Sequence, residues 1–422
     1  MNMKNKEKKF YLLILGCQMN QADGERIVGL LKSLGYSQTD KEKTADLIVV
    51  VACSVRQTAI DRVYGKAREW NRLKKKKKLL TVLTGCVLDA DRKKLSQCFD
   101  LVLPITEINK LTELLREQPV GFSGDYLDLS AEHQSDFSAF VPISNGCNNF
   151  CSYCAVPYTR GRETHRSAKE IITECRKLIK NGYKEIILLG QNVNSYQNGS
   201  YNFPKLLKAI DRIKGDYWLR FFTSHPKDLS EELIETIAEG KHLAPHLHLA
   251  LQSGDDQILK VMNRRYTAKH FLSLIKKARK KIKNLSVSTD VIVGFPGESQ
   301  KQINNTLKLM REVGFDLAYI NKYSPRPQTK ASELIDNVTV VEKKSRAEKV
   351  NEVLIKGALK NNKKYLGLTL KVLVDGYKNG RCFGKTENHK IVYFKGKSAL
   401  LGKFVPVKIN KIGAFILEGE LA

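Results

Sequence analysis

The sequence lacks any apolar run that approaches a membrane-spanning helix, which needs about 20 consecutive apolar residues. It also lacks the features of a secretory signal, because the apolar stretch at residues 10–15 is too short for the core of such a signal and runs into Gly16. We therefore expect a cytoplasmic chain with no membrane partner. In that compartment cysteines seldom form lasting disulfides.

Acidic residues are scarce. The chain holds 44 acidic residues against 72 basic ones, which gives a formal net charge of +28. Such an excess favours a polyanionic partner, and nucleic acid is the commonest one. A lysine-rich composition without functional meaning is the alternative, and lysine does outnumber arginine here. Charge alone therefore does not establish RNA binding.

At 422 residues the chain is too long for one ordinary core, and its patterning predicts three units. Residues 8–120 alternate short apolar strands with amphipathic helices, which predicts an α/β unit with a doubly wound parallel sheet. Gly, Ser and Asp without a helical period follow at 121–138 and indicate a linker. The predicted strands lie at residues 10–15, 46–51, 79–84 and 100–103.

Two further units follow. Residues 133–360 alternate six strands with helices, which predicts a partial (β/α)6 barrel whose chemistry lies at the C-terminal ends of its strands. Residues 361–422 hold short alternating strands between glycines and predict a small OB-like β-barrel, a shape often used to bind nucleic acid. The six predicted barrel strands lie at residues 140–144, 185–189, 218–223, 246–251, 286–293 and 317–323.

Three cysteines share one loop just past the first barrel strand, as Cys147, Cys151 and Cys154. Three thiolates close together suit iron and sulfide. A [4Fe–4S] cluster held by three cysteines keeps one iron open, and S-adenosylmethionine (SAM) can chelate that iron. Zinc is the alternative, but it usually takes four closed ligands, and no fourth Cys or His lies nearby. The loop therefore predicts a radical-SAM site.

A second set of cysteines is dispersed along the first unit. Cys17, Cys53 and Cys86 each end one of its first three predicted strands. Parallel strands bring their C-terminal ends to one edge, so the three thiols are expected to meet there and hold a second cluster. Gly16 and Gly85 would let the backbone approach it closely. Three separately buried cysteines are the alternative, which the repeated placement disfavours.

Other polar residues are assigned less specific roles. Strand-end residues of the barrel are candidate SAM contacts, with helix caps or turn residues as the alternative: Gln191, Ser224, Gln252, Val293 and Gly294. The C-terminal barrel offers a basic surface for RNA, or simply an ordinary basic surface: Lys371, Lys378, Arg381, Lys385 and Lys390. Arg160 and Arg162 would contact phosphate or form a surface ion pair with Glu163.

Some cysteines and histidines are expected to be inert. Cys98, Cys175 and Cys382 have no partner spacing. His246 and His248 would share one face of a strand, yet no third ligand is evident, so a polar role in the barrel mouth is preferred over a metal site.

Motifs along the whole chain resemble those of the radical-SAM methylthiotransferases. This family has an N-terminal methylthiotransferase domain, a radical-SAM barrel and a C-terminal TRAM domain, which correspond to the three predicted units. The matching motifs include Gly16-Cys-Gln-Met-Asn20, Cys53-Ser-Val-Arg-Gln57, Gly146-Cys-Asn-Asn-Phe-Cys-Ser-Tyr-Cys154, Val156-Pro-Tyr-Thr-Arg-Gly-Arg-Glu163 and Val293-Gly-Phe-Pro-Gly297.

The resemblance implies an activity and its cofactors. It implies methylthiolation of C2 of N6-isopentenyladenosine in a tRNA anticodon loop, with SAM and two [4Fe–4S] clusters. The cluster at Cys147, Cys151 and Cys154 would generate the radical, and the cluster at the dispersed cysteines would hold the sulfur. An electron donor such as flavodoxin or ferredoxin and a sulfur donor would be partners.

Alternative functions remain at this point. Within the family, the motif Gln18-Met-Asn20 and the Asn-Asn-Phe between the loop cysteines favour isopentenyladenosine over threonylcarbamoyl-adenosine tRNA or a ribosomal protein. A non-enzymatic iron–sulfur protein that binds RNA or carries electrons is a further alternative. The chain departs from the family's pattern at several positions, none of them a predicted ligand: Ala52, Val87-Leu-Asp89, Asn145, Ala250, Gln328 and Lys330.

Overall fold

The N-terminal unit is a five-stranded parallel sheet. The computed structural model describes residues 7–55, 57–115 and 125–422. The sheet has the order β2-β1-β3-β4-β5 and every neighbouring pair is parallel. Its strands are β1 (Lys9–Ile14), β2 (Ser37–Gln38), β3 (Leu47–Cys53), β4 (Leu80–Cys86) and β5 (Leu101–Val102).

Helices cover both faces of this sheet, as predicted. Helix α1 (Gln18–Ser33) packs into one apolar core, whereas α2 (Gln57–Lys74) and α3 (Asp89–Leu95) pack into another on the opposite face. Every residue of β3 is buried because it is covered on both sides, which explains its uninterrupted apolar sequence. The edge strand β2 was not predicted, since two residues carry no periodic signal.

The middle unit is an open arc of six parallel strands. They form two three-stranded sheets, β6-β9-β12 and β13-β14-β15, which isolated bridges such as Leu219 to Leu243 connect. The arc confirms the predicted partial barrel. Its strands are β6 (Ser138–Pro142), β9 (Glu185–Leu189), β12 (Trp218–Phe221), β13 (His246–His248), β14 (Ser286–Val293) and β15 (Leu317–Lys322).

Helices and small hairpins complete the middle unit. Antiparallel pairs are formed by β7 (Ser144–Asn145) with β8 (Thr164–His165), and by β10 (Gln197–Asn198) with β11 (Tyr201–Asn202). Among the helices described, none has the length and apolar character that crossing a membrane requires. After α4 (Leu111–Leu115), the helices are α5 (Val156–Arg160), α6 (Ala168–Lys180), α7 (Phe203–Asp211), α8 (Glu231–Glu239), α9 (Asp256–Val261), α10 (Ala268–Lys281), α11 (Gln300–Val313) and α12 (Val340–Asn362).

The C-terminal unit is a closed five-stranded barrel in the order β16-β17-β18-β20-β19. This confirms the predicted small β-barrel and adds a fifth strand that the sequence pattern did not reveal. Its strands are β16 (Thr369–Lys378), β17 (Arg381–Thr386), β18 (Ile391–Lys395), β19 (Phe404–Ile412) and β20 (Ile416–Leu421).

The N-terminal unit and the arc share one apolar core. Residues of α1 pack in this core with Ile187 and Leu189 of β9. The segment predicted as a linker at 121–138 takes part: Tyr126 and Leu127 are 1% and 2% exposed within the same core. This packing corrects the expectation of a linker for residues 126 and 127. Residues 121–124 and the expected domain end at 120 lie outside the described residues.

The C-terminal barrel docks into the arc through the turn between β17 and β18. Buried Arg220 donates through Nε to Glu185 Oε1 (2.6 Å), and through Nη1 and Nη2 to the carbonyls of Glu387 (2.6 Å) and Thr386 (2.8 Å). Lys390 is buried and pairs with Asp316 at 2.6 Å, so it is not part of an exposed RNA surface, contrary to the expectation.

Replacing Arg220 with Met should weaken this docking. The change leaves the buried Glu185 carboxylate without its cation, bonded only to Ser138 Oγ, and removes the donors to two carbonyls, which should cost about 3–5 kcal/mol of stability. The matched control is Lys371→Met, because Lys371 pairs with Asp216 between the same two units but both side chains are more than half exposed. An exposed pair contributes about 0–1 kcal/mol.

The measurement is denaturant unfolding followed by tryptophan fluorescence. Trp218 reports on the interface because its ring lies 4.6 Å from that of Phe404 in the C-terminal barrel. Equal shifts of the unfolding midpoint for the two variants would show that burial of Arg220 is not what holds the units together.

Candidate cluster and SAM sites at the strand ends

The structure brings the three dispersed cysteines to one edge of the N-terminal sheet. Cys53 and Cys86 end β3 and β4 and are paired in register. Cys17 precedes α1. Asn20 on the first turn of α1 joins the set, because its Oδ1 accepts from the Sγ of Cys17 (3.7 Å) and of Cys86 (3.5 Å). Asn20 thus links Cys17 with Cys86, and Cys53 adjoins them through its hydrogen bond to Cys86.

Glycine is required beside these thiols. Gly85 has φ +105°, and a Cβ there would lie 2.4 Å from the carbonyl oxygen of Ala52 on the neighbouring strand. A Cβ at Gly16 would lie 2.5 Å from the side chain of Asn20. Both distances are far below van der Waals contact, so the close approach of backbone to thiols depends on the missing side chains.

The thiols differ in acidity. Burial raises the pKa of Cys17. The hydrogen bond between Cys53 and Cys86 lowers the pKa of Cys53 and, together with burial, raises that of Cys86 well above the usual range. The hydrogen bond therefore favours the thiolate on Cys53 and keeps the proton on Cys86.

Arg160, from the barrel unit, reaches this site. Its Nε donates to Cys86 Sγ at 2.7 Å, Nη2 pairs with Asp23 of α1, and Nη1 donates to Asn145 Oδ1 (3.0 Å) and Tyr126 Oη (3.3 Å). Arg160 is 3% exposed. Burial lowers the pKa of Arg160, but Asp23 and then Cys86 raise it, and the net direction is upward. The guanidinium is a permanent buried cation between the two units.

This placement corrects the expected role of Arg160 as a phosphate contact or surface partner of Glu163. Arg160 is buried, and Glu163 accepts instead from Ser195 Oγ and His165. Arg162 is exposed, with its guanidinium 4.5 Å from the ring centroid of Phe150. The two arginines of this motif therefore have different roles, which spacing alone did not distinguish.

The cysteine loop of the barrel unit is anchored on several sides. A Cβ at Gly146, where φ is +77°, would lie 2.2 Å from the carbonyl oxygen of Arg162. The loop turns so that the Cys154 amide donates to the Cys151 carbonyl at 3.0 Å. Cys147 and Cys151 are 8% and 9% exposed. Burial raises the pKa of Cys147, and burial with the nearby Cys151 raises that of Cys154 to about 12.

Arg264 connects this loop to the strand ends. Its Nη1 donates to Cys151 Sγ at 3.4 Å and its Nη2 donates to the Ala250 carbonyl at 2.7 Å. The cation opposes the raised pKa of Cys154, although burial dominates. Iron binds thiolate, so ligation here must displace protons, and a neighbouring cation favours that step.

Among the described residues, no three His, Cys, Asp or Glu side chains are placed to hold a single metal ion. In a [4Fe–4S] cluster each cysteine binds a different iron, so the three sulfurs need not meet around one atom. The all-thiol composition of both sets fits iron–sulfur ligation.

Three of the predicted SAM contacts carry unpaired buried polar atoms. Gln191 follows β9, Ser224 follows β12 and Gln252 follows β13. Gln191 Oε1, Ser224 Oγ and Gln252 Oε1 are all buried, with no hydrogen-bond partner among the residues the structure describes. Unpaired buried groups of this kind are costly, and a polar ligand at this edge would satisfy them.

Two serines beside the cysteine loop share this property. Ser144 Oγ and Ser152 Oγ are also buried and unpaired within the described chain. Ser144 lies against Gly190, next to Gln191, since a Cβ on that glycine would sit 2.4 Å from Ser144 Oγ. The unpaired atoms therefore extend from the strand ends to the cysteine loop, as a ligand with several polar groups would require.

The other two predicted SAM contacts differ. The Val293 carbonyl accepts from the Tyr323 amide at 2.9 Å, and the Gly294 amide donates to Glu298 Oε2 at 2.7 Å. These two backbone groups are already paired within the protein. Their role as SAM contacts stays a prediction, because neither backbone group is left without a partner, unlike the side-chain atoms at the other three positions.

The cysteines and histidines that were expected to be inert lie in apolar cores or in a hydrogen-bond network. Cys175 and Cys382 are fully buried in apolar cores. His246 and His248 each lie 2.9 Å from Ser288 Oγ, and His248 Nε2 lies 2.9 Å from Asp290 Oδ2. The two histidines thus form a polar network inside the arc.

A cavity of about 420 Å³ lies in the arc and is lined by all three units. Cys17 and Gln21 come from the N-terminal unit, His248 and Asp290 from the arc, and His389 from the C-terminal turn. Small-molecule sites typically occupy about 300–1,000 Å³. Cys17 is part of the lining, so a ligand in the cavity would lie beside this thiol.

Sequence reasoning missed the buried polar residues that hold these sites: Asn20, Asp23, Tyr126, Asn145 and Arg264. Asn20 lies inside a matched motif and Asn145 was noted only as a departure. Nothing in the spacing of the others marks them, because their partners are distant in sequence.

Comparison with known proteins identifies the units. Residues 9–104 match "Uncharacterized protein family UPF0004", residues 141–310 match the Radical SAM superfamily and residues 363–422 match the TRAM domain. The chain is 42% identical to "tRNA-2-methylthio-N(6)-dimethylallyladenosine synthase" of Clostridium novyi (strain NT), over 100% of this chain and 98% of that relative. The protein of the same name from Alkaliphilus oremlandii (strain OhILAs) is 40% identical, over 99% and 93%.

The chain belongs to this synthase family. Membership of the Radical SAM superfamily implies SAM and one [4Fe–4S] cluster as cofactors of the barrel unit. The expected resemblance to radical-SAM methylthiotransferases is confirmed.

Two solved structures share the fold of most of the chain. A radical S-adenosylmethionine methyltransferase, TsrM, from Kitasatospora setae matches with a TM-score of 0.58 and 13% identity, over 76% of this chain and 75% of that one. The cobalamin-dependent S-adenosylmethionine radical enzyme OxsB matches with a TM-score of 0.54 and 11% identity, over 82% and 56%. At these identities the likeness concerns the fold alone.

For this synthase family member, we expect Arg160→Met to lower the stability of the cluster-free protein. The change leaves Asp23 as a buried unpaired carboxylate and should cost about 3–5 kcal/mol. Arg162→Met, two residues away but exposed, should change stability by less than about 0.5 kcal/mol. Denaturant unfolding under reducing conditions measures both.

A double-mutant cycle between Arg160→Met and Asp23→Asn isolates the pair. The double variant should recover part of the loss, because it no longer holds an uncompensated buried charge. Strictly additive effects of the two changes would show that the network is not what stabilises this junction.

Proposed function

We propose that the protein methylthiolates C2 of N6-isopentenyladenosine in tRNA, the product that the names of its relatives describe for them, and that the modified base lies in the anticodon loop. The observation that carries the proposal is the presence of two three-cysteine sets, one of which contributes Cys17 to the lining of the cavity between the units. One thiol site alone indicates radical chemistry. The second, beside the cavity, provides a place for the sulfur that such a reaction inserts.

In this proposal Cys147, Cys151 and Cys154 would hold the [4Fe–4S] cluster that acts with SAM. Gln191, Ser224 and Gln252 contact SAM through the atoms that lack partners in the described chain. When bound, the cluster and SAM supply one-electron chemistry that can remove hydrogen from an unactivated carbon. The protein's contribution is binding, orientation and exclusion of side reactions.

Cys17, Cys53 and Cys86 would hold a second [4Fe–4S] cluster. When bound, that cluster supplies the sulfur atom. Asn20 lies within contact of two of the three thiols, and Arg160 places a cation against Cys86 Sγ. A buried cation offsets the negative charge that thiolate ligation brings into this region.

The three units correspond to a methylthiotransferase domain at 8–120, a radical-SAM domain at 133–360 and a TRAM domain at 361–422. Exposed Lys378 and the net charge of +28 support tRNA as the partner. Other basic residues of the C-terminal barrel are paired with carboxylates, Arg381 with Glu418 and Lys385 with Asp375. We place the reaction in the cytoplasm, with a flavodoxin or ferredoxin as electron donor and a separate sulfur donor.

Iron content tests the two cluster sites. After anaerobic reconstitution the wild-type protein should hold about eight irons per chain, and loss of either cysteine set should leave about four. The two triple variants replace Cys147, Cys151 and Cys154, or Cys17, Cys53 and Cys86, with alanine. Iron and sulfide assays with electron paramagnetic resonance measure the outcome.

The control is Cys98→Ala, a half-buried thiol outside both sets, which should retain the full iron content. If a triple variant keeps about eight irons, the assignment of that set is wrong.

Nucleoside analysis tests the substrate. Deletion of the gene should remove 2-methylthio-N6-isopentenyladenosine from tRNA and leave N6-isopentenyladenosine in its place, measured by mass spectrometry. Complementation with Cys98→Ala should restore the product, and complementation with Cys151→Ala should not. Persistence of this nucleoside with loss of another methylthio product would reassign the substrate, and an unchanged nucleoside profile would favour a non-enzymatic role.

A further inference from the structure

The turn between β17 and β18 places a side chain of the C-terminal barrel inside the arc. His389 lines the cavity described above, together with His246 and Phe222. The imidazole rings of His389 and His246 are stacked, with centroids 4.7 Å apart and planes at 21°. The ring of Phe222 lies 5.3 Å from that of His389, nearly edge-on at 71°. Three flat rings from two units thus form one side of the cavity.

The turn that carries His389 is held firmly. Arg220 donates to the carbonyls of Thr386 and Glu387, and Asn388 Nδ2 donates to Tyr365 Oη at 2.6 Å. Within the turn, the His389 amide donates to the Thr386 carbonyl at 3.0 Å. His389 is therefore presented to the cavity in one position.

The backbone of His389 is itself unusual. Its φ of +65° is in the left-handed region, which His, Asn and Asp tolerate better than most residues. The surrounding hydrogen bonds maintain this conformation, and strained residues retained in this way are concentrated at binding sites.

The cavity has an aromatic side and a polar side. The three rings offer flat, apolar faces, and burial with neighbouring His246 keeps the pKa of His389 well below its usual value, so the ring is neutral. Elsewhere the cavity is lined by Ser288 and Asp290, which bind the edge of His248. Flat faces on one side and polar groups on another suit a nucleobase that carries an apolar substituent.

We propose that His389, with His246 and Phe222, forms the surface against which the N6-substituted adenine is held, so that the C-terminal barrel determines base specificity as well as RNA affinity. This inference rests on the proposed function. Lys390, one residue further on, is buried and paired, so this turn does not act as a basic grip on phosphate. The turn instead contributes the imidazole ring of His389 to the cavity wall.

The test compares binding of two anticodon stem–loops, one with N6-isopentenyladenosine and one with plain adenosine, to the reconstituted full-length protein. His389→Asn removes the ring but keeps a side chain that tolerates positive φ. The ring's apolar contact with the N6 substituent, which plain adenosine lacks, is worth about tenfold in binding. We expect that loss for the isopentenylated loop only, so that the wild-type preference between the two loops disappears.

Two further variants make the result specific. Phe222→Leu keeps an apolar side chain without a ring and should reduce the preference in the same direction. Lys378→Ala, on the exposed surface of the same barrel, should weaken binding of both loops equally and leave the preference intact. In steady-state assays His389→Asn should raise KM for the isopentenylated loop much more than it lowers kcat. An unfolding midpoint close to the wild-type value confirms that His389→Asn is folded.

The possible results distinguish failure of this inference from failure of the proposed function. If His389→Asn keeps the wild-type preference, or weakens both loops equally as Lys378→Ala does, the inference is wrong while the proposed function stands. A destabilised His389→Asn is replaced in this decision by Phe222→Leu, which must then lose the preference. If the wild-type protein neither prefers nor modifies the isopentenylated loop, the proposed function fails and this inference fails with it.

Discussion

The arrangement of both cysteine sites depends on one buried cation, Arg160. Its guanidinium contacts Cys86 and Asp23 of the N-terminal unit and Asn145 of the barrel unit, and is 3% exposed. A guanidinium removed from water is stable only when its donors are satisfied. Because those partners belong to two units, the pairing requires the units to be docked in one orientation, which in turn sets the positions of the two thiol sites.

Parallel strands account for the rest of the site. Cys53 and Cys86 end adjacent strands of the first sheet, and Gln191, Ser224 and Gln252 follow strands of the arc. Loops at the C-terminal ends of parallel strands gather at one edge, so residues far apart in sequence become neighbours. Residues of all three units line the cavity, and separate buried polar atoms at the strand ends of the arc have no hydrogen-bond partner among the described residues.

The C-terminal barrel is more than an appended basic surface. Arg220 is buried against its turn, and Trp218 packs against Phe404. The same turn carries His389 into the cavity. The turn that docks the barrel therefore also forms part of the cavity wall. Lys390, next to His389 in this buried turn, pairs with Asp316 inside the protein and does not contact RNA.

The sequence alone determined the two cysteine sets, the parallel sheet, the partial barrel and the terminal β-barrel, because strand periodicity and cysteine spacing are local patterns. It misjudged Arg160, Lys390 and the segment at 121–138, since burial of a side chain depends on what another part of the chain places over it. Only the tertiary structure decided that Arg160 faces Cys86 and that His389 enters the arc. Those contacts join residues more than 70 positions apart, and no local pattern records which distant surfaces will meet.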